Sequence, residues 1–199
     1  MNLPNKITLT RIFMIPIFVA IFFLDGIIPF GFGIAAIVFA LAACTDFIDG
    51  HIARSRGLVT NLGKFLDPIA DKVLVSTAML LILTMKESLF DKLPGASAAL
   101  YIATAICICV IMARELIISA FRQIAATRGL VMAADMLGKY KTTFQDISIF
   151  ALIFCASLSG KAGEVVAIIG FVLFAVATVL TVWSGISYVV KNKQVLKDE

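Results

Sequence analysis

The sequence predicts an all-α integral membrane protein of six transmembrane helices, and three observations carry that prediction. Hydrophobic residues make up 61% of the 199-residue chain and charged residues only 15%, whereas soluble domains carry about 25% charge. Three stretches, 26–45, 93–113 and 165–190, hold no charged residue, and each is long enough to cross a hydrocarbon core of about 30 Å as a helix. Backbone polar groups in lipid must be satisfied internally, so helices are the expected elements. The short alternating segments of a membrane β-barrel are absent.

Taken in order, the spans fall at 7–25, 27–52, 62–85, 94–122, 139–159 and 164–190. The first is uninterruptedly apolar only from Ile12 to Leu24. Lys6 and Arg11 precede that run like the start of a signal peptide, but Phe23-Leu24-Asp25-Gly26 lacks a small-x-small cleavage pattern, so an uncleaved span is expected. The second is clean until Asp46. The third carries Lys64, Asp67, Asp71 and Lys72 in its first half. The fourth and sixth are the longest apolar runs, and the fifth contains Asp146 near its start. No repeat, low-complexity tract or linker breaks the chain, so residues 1–199 read as one domain.

Charge orients the bundle. With the N-terminus inside, the inner side receives Lys6, Arg11, Arg54, Arg56, Lys64, Lys72, Arg114, Arg122, Arg128, Lys139, Lys141, Lys191, Lys193 and Lys197. The outer side receives only Lys86, Lys92 and Lys161. Fourteen against three is a decisive positive-inside bias and makes both termini cytoplasmic. The ionisable residues that intrude into spans do so from the same side, which predicts a polar cavity open to the cytoplasm.

The densest chemistry lies where the second span ends and the third begins. Asp46 and Asp49 are i and i+3 on a helix and share a face. Gly63, Asp67 and Asp71 follow at i, i+4 and i+8, a single stripe. A short connection makes these helices antiparallel neighbours, so the two carboxylate pairs can converge. Pro68 is compatible with a helix start or a kink toward the site. Four carboxylates at membrane depth need compensation, and all-oxygen ligands favour Mg²⁺ or Mn²⁺ over zinc. Two ions about 4 Å apart can hold a phosphoryl group with its attacking and leaving oxygens. Gly50, Ala53 and Gly63 clear space for a diphosphate and a base, and Arg54 can pair with phosphate. The blander reading, that the aspartates merely pair with Lys64, Lys72 and Arg54, does not account for four at this spacing.

The full pattern, D-x2-D-G-x2-A-R-x8-G-x3-D-x3-D over residues 46–71, resembles the signature of the CDP-alcohol phosphatidyltransferases. The resemblance implies a transferase that moves a phosphatidyl group from CDP-diacylglycerol to an alcohol with release of CMP. It implies that Asp46, Asp49, Asp67 and Asp71 hold divalent metal, Mg²⁺ or Mn²⁺, as two ions. It makes Asp71 the general base toward the acceptor hydroxyl and puts Gly50, Ala53, Arg54 and Gly63 around the cytidine diphosphate. It also implies a homodimer in a bacterial cell membrane, with lipids and no nucleic acid as partners.

The signature leaves the acceptor open. The stretch from Asn2 to Arg11, the run Lys64 to Lys72, Arg114-Glu115 and Leu137 to Thr142 resemble bacterial phosphatidylglycerophosphate synthases, which favours sn-glycerol 3-phosphate. An acceptor with its own phosphate needs further cations. Arg114, Lys139, Lys141, Arg11 and Arg122 are the candidates, set against the alternative that they anchor anionic headgroups. Cardiolipin, serine or inositol-phosphate chemistry remains an alternative within the class. Outside it stands a transporter with an acidic site, whose carboxylates would be expected nearer the span centres.

The remaining features read as packing. Cys44, Cys107, Cys109 and Cys155 lie in apolar runs without ligand spacing and act as small apolar fillers. His51 occupies a variable position of the signature and reads as a bystander. Trp183 and the 16 phenylalanines face lipid or pack. Gly31, Gly33 and the alanines of 35–43 allow close helix approach.

Overall fold

The computed structural model describes residues 3–55, 61–93, 95–127 and 136–193. The side chains of 3, 4, 46–55, 61, 62, 64, 65, 67, 126, 127, 136 and 137 lie outside that description. Six long helices account for most of it: α1 Leu3–Phe23, α2 Gly31–Ser55, α3 Asn61–Thr84, α4 Ser97–Thr127, α5 Met136–Phe154 and α6 Gly160–Lys191. No strand occurs among the described residues. By length and composition Asn5–Phe23, Ser97–Ala125 and Gly160–Lys191 are long and apolar enough to cross a membrane, and Gly31–Thr45 is a shorter apolar helix. The chain is a membrane protein.

Several boundaries differ from the sequence expectation for identifiable reasons. The second helix starts at Gly31 rather than 27, because Pro29 and a left-handed Phe30 (φ 64°) turn the chain first. The Asp25 carboxylate then caps the new helix by accepting from the Phe32 N–H at 2.8 Å, satisfying one of its orphan donors. The fifth helix stops at Phe154 and passes into a 3₁₀ turn, Cys155–Ser157. The fourth runs on to Thr127, beyond the expected 122.

The helices alternate in direction, and the two ends of the bundle differ in chemistry. At one end the Lys92 ammonium donates to the Leu158 carbonyl at 2.8 Å, joining the α3–α4 and α5–α6 connections. Phe30 and Phe154 meet edge to face there, so the α1–α2 connection belongs to the same end. The opposite end carries the start of α1, α3 and α5 and the finish of α2, α4 and α6. The apolar core runs between them through residues such as Phe18, Phe39, Ile82, Ile111 and Leu152.

α6 shows what drives the packing. It buries Gly163, Ala167, Gly170, Ala177, Thr181, Ser184 and Gly185 and exposes Val165, Ile168, Val172, Val179, Trp183 and Ile186. Apart from Phe174 and Tyr188, which are also buried, small residues face inward and large aliphatic ones outward, the inverse of a soluble amphipathic helix. Lipid tails are as apolar as leucine, so helices associate by close packing and interhelical polar bonds rather than by escape from water. α5 and α6 are the most extensively packed pair, and a Cβ on Gly170 would come within 2.8 Å of the Leu152 side chain. α1 packs extensively on α2 as well, there through the aromatic pairs Phe18–Phe39 and Phe22–Phe32, and α2 fully buries Ala35, Ala36 and Ala42.

Gly170→Leu is therefore expected to destabilise the protein by about 1–3 kcal/mol, seen as earlier thermal unfolding in detergent. Val179→Leu, on the lipid-facing side, is expected to leave the transition where it is. Equal transitions for both variants would contradict the small-residue account.

Candidate active site

The aspartate signature spans two helices whose backbones are regular where it lies. α2 continues unbroken through Asp46, Asp49, Gly50, Ala53 and Arg54 to Ser55. α3 starts at Asn61 and carries Gly63, Asp67 and Asp71. Helical register therefore gives Asp46 and Asp49 one face and Gly63, Asp67 and Asp71 another, as the spacing requires. Pro68 lies inside α3, in its second turn. The side chains of Asp46, Asp49, His51, Ala53, Arg54 and Asp67 lie outside the description. Gly63 is buried and Asp71 half-buried.

Asp71 opens onto a cavity of about 140 Å³ between α3, α4 and α5. Lys72, Glu115, Lys141, Gln145 and Asp146 share its wall with Asp71, and Met79 and Met112 supply apolar lining. Most of these groups sit on helices that otherwise present aliphatic residues. Intramembrane ionisable groups normally pair with one another or face a polar cavity, and here they do both.

One carboxylate organises the cations. Glu115 Oε1 accepts from the Lys141 ammonium and from Arg114 Nη1 at 3.0 Å. Arg114 Nη2 donates to Ser184 Oγ at 2.8 Å, and Ser184 donates in turn to the Thr181 carbonyl. The network ties α4 to α5 and to α6. Gly185 makes room for it, since a Cβ there would come within 3.0 Å of Arg114 Cγ. Arg114 Nε is buried with no hydrogen-bond partner among the described residues. On the α3 side the Lys72 ammonium donates to Ser119 Oγ, and Ser119 donates to the Glu115 carbonyl. Two cations thus share one carboxylate, and Lys141 and Glu115 line the same wall as Asp71.

Of the five cations singled out in the sequence, the structure brings Arg114 and Lys141 together. Arg122 lies further along α4, where Nε donates to Tyr188 Oη at 3.2 Å and the guanidinium stacks 5.2 Å from the ring centroid. Arg11 is fully buried and donates through Nε to Thr45 Oγ1 at 3.2 Å, tying α1 to α2 one residue before Asp46. Lys139 is exposed on α5. Sequence reasoning missed Ser119, Ser184, Tyr188 and Gln145. Ser184 and Tyr188 stand on the inward stripe of α6 at helical spacing from Thr181, and Gln145 stands one turn after Lys141. Those spacings were the available signals.

The residues present fit a divalent-metal site in donor chemistry: four carboxylates at helical spacing on adjoining helix ends, with Asp71 at the cavity wall. Comparison with known proteins agrees. Residues 1–183 match the model of the CDP-alcohol phosphatidyltransferase family, and the chain belongs to that family, a class of transferases generally dependent on divalent metal. It is 40% identical to the CDP-diacylglycerol–glycerol-3-phosphate 3-phosphatidyltransferase of Bacillus subtilis (strain 168), covering 98% of this chain and 97% of that one. It is 38% identical to the protein of the same name in Escherichia coli (strain K12) and 37% identical to that of Salmonella typhimurium (strain LT2). Each of these two alignments covers 100% of this chain and 98% of the relative.

The shared carboxylate gives a direct test. In a double-mutant cycle of Glu115→Gln and Lys141→Met, read by unfolding in mixed detergent, a coupling of about 1–2 kcal/mol is expected. Additive effects would mean that the pair carries no mutual stabilisation.

Proposed function

We propose that this protein transfers the phosphatidyl group of CDP-diacylglycerol to sn-glycerol 3-phosphate, giving phosphatidylglycerol phosphate and CMP. The observation that carries the proposal is the meeting of two features in one place. The last aspartate of a complete CDP-alcohol signature, Asp71, lines the same cavity as Lys141, which is held with Arg114 on Glu115. The first feature suits a nucleotide-linked lipid donor, the second an acceptor that carries its own phosphate. The names of the relatives agree with both.

In this reading Asp46, Asp49, Asp67 and Asp71 hold the divalent cations, two ions of Mg²⁺ or Mn²⁺. When bound, they offset the charge of the diphosphate and of the departing phosphate. Gly50, Ala53 and Gly63 leave space for the cytidine diphosphate, and Arg54 pairs with its phosphate. Arg114 and Lys141 orient the acceptor phosphate, which brings the primary hydroxyl of the acceptor toward Asp71. Arg11, Arg122 and Lys139 contribute to the positive field around the cavity, and the exposed Lys139 and Arg122 to its contact with anionic lipid.

Asp71 takes the proton of the C1 hydroxyl as that oxygen bonds to the β-phosphorus. The bond from the β-phosphorus to the bridging oxygen breaks, and CMP leaves with that oxygen. Holding both reactants in one site removes the entropic cost of their encounter.

The placement we favour is a bacterial plasma membrane, crossed six times by a single domain with both termini in the cytoplasm. The fourteen-to-three distribution of Lys and Arg supports that orientation. The cavity then opens to the cytoplasm, where the water-soluble acceptor enters, while the lipid donor arrives sideways from the bilayer. A homodimer is consistent with the family.

Asp71→Asn is expected to lower CMP release by about 10²–10⁴-fold while metal-dependent binding of a cytidine diphosphate lipid largely persists. Chelation of divalent metal should stop turnover, and Mg²⁺ or Mn²⁺ should restore it. Near-normal turnover by the Asn variant would remove Asp71 from the general-base role. Absence of CDP-lipid turnover with any alcohol would refute the enzyme reading.

A further inference from the structure

Resting on that reading, we infer that Gln145 is a specificity-determining residue, reading the hydroxyl of the acceptor that does not react. Gln145 is 3% exposed, the most buried of the neutral polar residues lining the cavity, ahead of Ser76 and Thr142. Among the described residues its amide has one hydrogen-bond partner, the Met79 thioether at 3.7 Å from Nε2, and a thioether is a weak acceptor. Thr142, by contrast, gives its hydroxyl proton to the Gly138 carbonyl at 3.0 Å. The amide therefore borders the cavity with hydrogen-bonding capacity to spare. A ligand that both donates to Oε1 and accepts from Nε2 takes up that capacity, and an alcohol does both.

The register of α5 says which part of the ligand arrives there. Lys141 and Gln145 are i and i+4, so they share a face and their backbones are about 6 Å apart along the axis. Lys141 stands on the Asp71 side of the cavity and Gln145 on the side of Met79, one turn deeper. A phosphate bound at Lys141, the cation of the Glu115 cluster that lines the cavity, then leaves Gln145 facing the carbon chain of the acceptor. In glycerol 3-phosphate the primary C1 hydroxyl is the unhindered nucleophile, and the C2 hydroxyl, one carbon from the phosphate-bearing carbon, is free to be recognised. The geometry thus separates three tasks: phosphate to Lys141, nucleophile to Asp71, remaining hydroxyl to Gln145. A site built around a buried hydrogen-bonding group rejects an analogue that lacks the matching hydroxyl, because the group is then left unpaired.

The test compares glycerol 3-phosphate with 3-hydroxypropyl phosphate, which keeps the phosphate and the primary hydroxyl and lacks only the C2 hydroxyl. The wild-type protein in CDP-diacylglycerol micelles is expected to prefer glycerol 3-phosphate in kcat/KM by about 10- to 100-fold. Gln145→Met, which keeps the side-chain length and removes the amide, should collapse that ratio to within about threefold, the scale of a weak residual hydrogen bond. A residue of merely structural importance would slow both acceptors and leave the ratio intact, and that result overturns the inference. The wild-type ratio is a second test that does not depend on the variant folding: equal use of both acceptors overturns the inference while preserving the acceptor class. Failure of the wild type to use either phosphate, with CMP released to another alcohol, overturns the acceptor reading as well.

Discussion

Hydrocarbon gives helices no reason to leave it for one another, and this bundle is arranged around that constraint. The inward faces of α2 and α6 are rich in glycine and alanine, with serine and threonine on α6 and Phe39, Phe174 and Tyr188 among them, while valine, isoleucine and tryptophan point away. What holds the helices in a unique arrangement is close backbone approach plus a small set of polar ties. Those ties gather toward one end: Arg11 to Thr45, Lys72 to Ser119, Lys141 and Arg114 to Glu115, Arg114 to Ser184, and Arg122 to Tyr188. The opposite end is secured by the Asp25 cap, a lysine on a carbonyl and aromatic edges.

The same polar ties make the site possible. An isolated ammonium at membrane depth is expensive, and one fully neutralised by a carboxylate has little left for a ligand. Sharing Glu115 between Arg114 and Lys141 falls between these extremes. Each cation has a partner, and Lys141 and Glu115 still reach the wall that Asp71 shares. Ser184 and Gly185 support the arrangement from α6, the serine as acceptor and the glycine by leaving space for the arginine stem. Removing α6 from this position would therefore disturb the Arg114–Glu115–Lys141 cluster without touching any residue that faces the cavity.

Much of this is legible in the sequence, for physical reasons that also mark where legibility ends. Helix number and approximate extent follow from the length of apolar runs, because bilayer thickness fixes what a span needs. The aspartate stripes follow from a spacing that only a helix turns into a face, and α2 and α3 are helical throughout those positions. The start of α2 was less accessible, since the Asp25 cap acts across seven residues of turn. Which cations converge was less accessible still. Arg114, Lys139, Lys141, Arg11 and Arg122 are equivalent as charges, and only the rotation of α4 against α5 selects Arg114 and Lys141. Arg122 turns to a tyrosine on α6, and Arg11 is buried against α2. Gln145 carried no charge to draw attention, and its meaning depends on a cavity that periodicity alone does not reveal.

The central claim is that the cavity beside Asp71 accepts a phosphorylated polyol and a CDP-linked lipid together. The most direct measurement is CMP release by the purified full-length protein with CDP-diacylglycerol and Mg²⁺ or Mn²⁺, offered glycerol 3-phosphate, serine, inositol phosphate or phosphatidylglycerol as acceptor. The account predicts rapid release with glycerol 3-phosphate and formation of phosphatidylglycerol phosphate in equal amount. Rapid release with serine and none with glycerol 3-phosphate would contradict it.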